Sequence, residues 1–149
     1  MTSKMRPLFP VKIDYSQSFK EMLEAPGFHS IDAGITERHF PMCQGGVIEV
    51  NLELLQYGYE TDGREVLADL EKRNKRVATL PEALAFAKQH PKELQDRSIG
   101  VLGAVWREAK LIRKIVILFG NNDRRELRTD WLEGVFHGYF HFLVTYKYS

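Results

Sequence analysis

At 149 residues, 44% hydrophobic and 28% charged, the chain has the composition of one globular domain, long enough to bury a core without metal or disulfide staples. A formal charge of +1 excludes a global electrostatic pull toward nucleic acid or anionic membrane. The single cysteine, Cys43, excludes an internal disulfide and fits a reducing compartment.

Residues 1–15 hold no apolar segment of the signal-peptide kind. The longest apolar run is far short of the ~20 residues that a membrane helix needs, so a cytoplasmic location is the expectation. Residues 1–10 carry Pro7 and Pro10 and no periodic pattern, which reads as an arm. Val11 and Ile13 alternate with Lys12 and Asp14, predicting a short strand. Ser16 or Ser18 can cap a short helix whose apolar face is Phe19, Met22 and Leu23, and Pro26-Gly27 stops it. Residues 28–46 lack periodicity. They hold Phe28, Ile31, Ile35, Phe40 and Met42, which predicts an ordered excursion that packs on the domain.

In residues 46–58, Ile48, Val50, Leu52 and Leu54 alternate with Glu49, Asn51 and Glu53. The period of two predicts a half-buried strand. Asp62 and Glu65 have capping-box spacing ahead of Val66, Leu67 and Leu70. A second box opens the central helix of residues 79–91, where Thr79 caps, Glu82 reaches back and Pro81 needs no donor. Leu80, Leu84 and Ala87 share its apolar face, and His90-Pro91 ends it. Residues 98–106, SIGVLGAVW, read as a strand buried on both faces, with Gly100 and Gly103 marking a bulge or close packing.

The last third predicts a meander of antiparallel strands. Residues 112–119 are rich in β-branched residues, residues 120–123 are a turn, and Leu127, Thr129 and Trp131 share one face of the next strand. Residues 133–138 are read as a connection. Residues 139–148 close the chain as a strand with Phe140, Phe142, Val144 and Tyr146 on one face. The fold class expected is α+β, a single domain over residues 1–149, with an antiparallel sheet mainly from the C-terminal third and helices packed against it.

The segment RVATLPEALAFA at 76–87, the strand ending in Trp106, the RREL strand at 124–127, Trp131 and the closing FHFLVTYK resemble a group of uncharacterised bacterial proteins. Those carry an R-P-A-T-L-x-E-L-L-A helix and a final FLAVRK strand. The resemblance implies a shared fold and assigns no activity. A more distant similarity is to bacterial C-type-lectin-like modules, through Thr79-Leu80-Pro81, Trp106 and residues 142–147. In this chain the order is T-L-P and paired cysteines are absent. That similarity implies a scaffold for variable binding surfaces.

Three chemistries can be sought in the side chains. His39 and Cys43, with His29 and Asp32 or Glu37, could contribute to a metal site, but Pro41 interrupts helical spacing and the set is incomplete. No metal or cofactor is therefore expected. Cys43 could act as a nucleophile with a histidine as base, and Gly45-Gly46 could offer backbone donors to an oxyanion. His137 and His141 have no acid or nucleophile tied to them by spacing. Residues 107–128 hold seven basic and three acidic residues. With Trp106 and Trp131 beside them they could make a basic, aromatic face for an anionic ligand or single-stranded nucleic acid.

The sequence supports best a small non-catalytic binding or interaction module for a protein or anionic ligand. Its expected binding residues are Trp106, Arg113, Lys114, Arg124, Arg125 and Trp131, because tryptophan and arginine are enriched at binding hot spots. The 120–123 turn is expected to bring Arg113 or Lys114 close to Arg124 or Arg125. An enzyme using Cys43 and a nucleic-acid-binding module are the alternatives.

Overall fold

Val11 and Ile13 point inward from β1 (Phe9–Asp14), each only 1% exposed. Ser18 caps α1 (Phe19–Glu24) in a complete capping box with Glu21, and Phe19 and Met22 are its buried face. The excursion that follows packs through Ile35 and Phe40 and contributes the short β2 (Ser30–Ile31). These elements come from a computed structural model that describes residues 7–41, 45–109, 112–121 and 123–147, of residues 108 and 109 the backbone alone. Met42 and Cys43 lie outside the described residues.

The chain continues through β3 (Val47–Gln56), β4 (Thr61–Asp62), α2 (Gly63–Lys72), β5 (Lys75–Val77) and α3 (Leu80–Gln89). A 3-10 turn (Pro91–Leu94) then leads to β6 (Arg97–Ala109), β7 (Ile112–Asn121), β8 (Arg124–Trp131), β9 (Val135–Phe136) and β10 (His141–Tyr146). The fold is α+β, with a large, mostly antiparallel sheet drawn largely from the C-terminal part, in the order β1-β3-β10-β6-β7-β8-β2. The β6-β7-β8 meander forms as expected, and its register slips between Val101 and Val105, beside Gly103.

The closing strand does not extend that meander. β10 returns to the middle of the sheet, antiparallel to β3 and β5 and parallel to β6. The reason lies in its side chains. Phe142, Leu143, Val144 and Thr145 are all buried, so both faces need cover, and an outer position would leave one of them wet. Residues 133–138 are not a bare connection either, since β9 pairs with β4 in a small ribbon. In β3 the predicted alternation holds at Val50 and Leu52, while Ile48, expected on the same inward face, is 48% exposed. The alternation breaks at Glu53, which is buried and ion-paired with Lys75 where the strand passes from β1 to β10.

Helices cover both faces. α1 and α3 seal one core with Val116, Leu118 and Leu143, while α2 seals the other with Ile115, Ile117 and Phe142. α3 has the full capping box predicted for it: Glu82 N–H donates to Thr79 Oγ1 at 3.4 Å, and Thr79 N–H donates to Glu82 Oε1 at 2.9 Å. Thr79→Ala is expected to cost about 1 kcal/mol in a urea denaturation series. An unchanged midpoint would mean that water replaces the cap without loss.

Both edges of the sheet are blunted against strand addition. On β1, Lys12 N–H donates to Gln89 Oε1 (3.0 Å) and Gln89 Nε2 donates to Lys12 O (2.7 Å). His90 Nε2 donates to Pro10 O at 2.9 Å. On β8, the backbone N–H groups of His29 and Asp32 donate to the carbonyls of Arg125 and Leu127, and Asp130 accepts from the N–H of Trp131.

Candidate functional site

Register builds the centre of the candidate surface. Lys114 on β7 stands opposite Trp106 on β6 and Trp131 on β8, so the three share one face in one cross-strand row. The Lys114 ammonium lies 5.4 Å from the Trp106 ring and 5.2 Å from that of Trp131. Each such contact contributes about 0.5–1 kcal/mol at an exposed site. On Trp106 the imidazole of His39 stacks at 4.1 Å and 11°. His39 is oriented by a bond from Nδ1 to the Gly34 carbonyl at 2.8 Å. A Cβ at Gly34 would come within 2.3 Å of the Trp106 ring, so the excursion lies directly on this indole. Trp106 is thus half-buried, whereas Trp131 is 46% exposed.

The arginines do not join this row. The pleat turns Arg113 to the opposite face, where it bonds Glu133 at 2.7 Å. Arg124 and Arg128 share Glu126, at 2.6 and 2.7 Å, and Arg128 also covers the Phe119 ring at 3.7 Å. The two arginines hold the Glu126 carboxyl below its ordinary pKa through hydrogen bonds. The side chain of Arg125 reaches toward Gly27, on the side of the excursion.

The expected approach of Arg113 or Lys114 to Arg124 or Arg125 is not found. The hairpin sets Arg124 against Asn121 and Trp131 against Lys114. Seven residues of strand, roughly 23 Å, separate the two ends. A turn places only its nearest residues in contact, and these cations lie at opposite ends of the ladder.

Beside the row is a cleft of ≈ 210 Å³ walled by Tyr15, His39, Phe40, Leu80, Pro81 and Ala104. Among the described residues no group of three His, Cys, Asp or Glu side chains is placed to hold a metal ion. His29 accepts from Arg125 N–H at 3.0 Å, whereas His39 stacks on Trp106. The Cys43 nucleophile reading falls on a residue outside the described ones. No described helix is long and apolar enough to cross a membrane.

The chain matches no known protein family, curated protein or solved structure.

Residue typing missed His39 as a partner of Trp106, because stacking across 67 positions leaves no local pattern. It also passed over two tyrosine-glycine turns, YGY at 57–59 and HGY at 137–139, whose signal was present in the sequence.

Proposed function

We propose that this chain is a small cytoplasmic, non-catalytic binding module that engages a protein partner through the row of Trp106, Lys114 and Trp131. One observation supports the reading above the others: Trp131 keeps nearly half its surface in water while Lys114 and the adjoining strand hold it in place. A fixed, exposed indole adds large contact area at small entropic cost, the property that makes tryptophan a hot-spot residue. An anionic ligand on Arg113, Arg124 and Arg125 has weaker support, since Arg113 and Arg124 already face carboxylates.

Trp131→Ala is expected to hold its stability to within about 1 kcal/mol of the parent, as exposed positions do. In a pull-down from cell extract it is expected to lose the partners that the parent recovers. Recovery of the same partners would exclude the row. If charge reversal at Arg124 and Arg125 strips the partners instead, the anionic reading replaces this one.

A further inference from the structure

A second surface, on the other side of the sheet from the tryptophan row, is built by two turns that pack back to back. β4 and β9 pair at Thr61 with Phe136 and Asp62 with Val135, and Phe136 anchors the ribbon in the core under α2. Beyond the ribbon, Gly58 N–H donates to Gly138 O at 3.1 Å, and Gln56 Nε2 donates to Tyr139 O at 3.2 Å. A Cβ at Gly138 would come within 2.6 Å of the Gly58 backbone, so these turns touch main chain to main chain. Tyr57, before the first glycine, packs inward on Phe142, while the tyrosines that follow the two glycines turn outward. Tyr59 is 62% exposed, Val135 72% and Tyr139 83%. Tyrosine and glycine on rigidly paired turns provide large amphipathic contact area with few rotamers to freeze.

Charge selects the partner. Residues 57–65 and 130–139 hold five carboxylates and one arginine, in a chain whose overall charge is +1; Asp62 is paired with Arg64 and Glu133 with Arg113, so the excess rests on Glu60, Glu65 and Asp130. The protein also shows how this neighbourhood holds a cation. Arg73 lies 5.9 Å over the Tyr57 ring while its Nε bonds Asp69 at 2.8 Å. The Tyr57 hydroxyl donates to the same carboxylate at 2.6 Å. Tyr59 stands 5.8 Å from Tyr57, with Glu60 beside it in sequence. We infer that the Tyr59–Tyr139 surface docks an arginine- and lysine-rich peptide segment, taking its cations over the tyrosine rings and against Glu60 and Glu65.

The test is fluorescence anisotropy with a labelled Arg/Lys-rich peptide and a Glu-rich counterpart, titrated with the full chain at several salt concentrations. The parent is expected to bind the basic peptide and not the acidic one. The double variant Tyr59→Ala/Tyr139→Ala is expected to bind it roughly tenfold more weakly, as the loss of two cation–π contacts implies. Glu60→Gln/Glu65→Gln is expected to weaken binding and flatten its salt dependence. Trp131→Ala is expected to bind as the parent does, which separates this surface from the tryptophan row. No binding by the parent overturns the inference. So does an unchanged affinity in the tyrosine variant, which would reduce the attraction to charge alone, and so does an equal loss in Trp131→Ala.

Discussion

Glu82→Ala is expected to lower the unfolding free energy by about 3–5 kcal/mol, the range for removing one partner of a buried ion pair. The carboxylate is 4% exposed. It accepts both arms of the Arg76 guanidinium, at 2.9 and 2.8 Å, and the N–H of Thr79. Alanine would strand a half-buried arginine and undo half of the α3 capping box in one step. Burial alone would raise the Glu82 pKa. The Arg76 hydrogen bonds, the Thr79 N–H and the arginine's charge outweigh it and hold the carboxyl below its ordinary value. The sign of the pH dependence follows. A carboxyl with a lowered folded pKa stabilises fully above its unfolded value, about 4.3, and that contribution disappears as pH falls through the folded pKa. In urea denaturation from neutral to acid pH, the difference between parent and variant should therefore narrow toward the acid end. A neutral-pH loss no larger than that of Thr79→Ala would show that solvent screens the pair.

Phe142→Ala is expected to be comparably severe, about 3–5 kcal/mol. The side chain is 1% exposed at the centre of the core under α2. It packs edge-on to Phe136 at 5.5 Å and to Tyr57 at 6.1 Å, and tilted against Phe140 at 5.5 Å. The cavity would open beneath both the tyrosine turns and the central strand, and a rigid sheet closes on such a space only in part. Thermal unfolding measures the loss, which should be several times that of Trp131→Ala. A loss below about 1.5 kcal/mol would mean that Phe136 and Phe140 collapse into the gap.

The elements ruled by short-range chemistry were legible in the chain. Ser18 and Glu21, like Thr79 and Glu82, can close their caps before anything else folds, because the partners are three residues apart. The inward set of β1 follows from the period-two pattern of Val11 and Ile13, and the β7-β8 hairpin from the turn residues between them. The α+β class follows from these elements together. Glu53 shows where such reasoning stops: its alternation marks an outward position, yet β10 and β5 bring Lys75 to it and cover its face.

The candidate surfaces divide in the same way. Residue type alone singled out Trp106 and Trp131, and composition alone marked the excess of arginine between them. Which of those side chains meet was decided by register and pleat. Lys114 falls between two indoles because it is directly opposite both, while Arg113, one residue away, is turned to the other face and to Glu133. His39 under Trp106 and Tyr139 beside the Tyr59 turn are juxtaposed only by the path of the whole chain. Contacts between distant segments depend on strand order and loop closure, and neither leaves a periodic mark in the residues that finally touch.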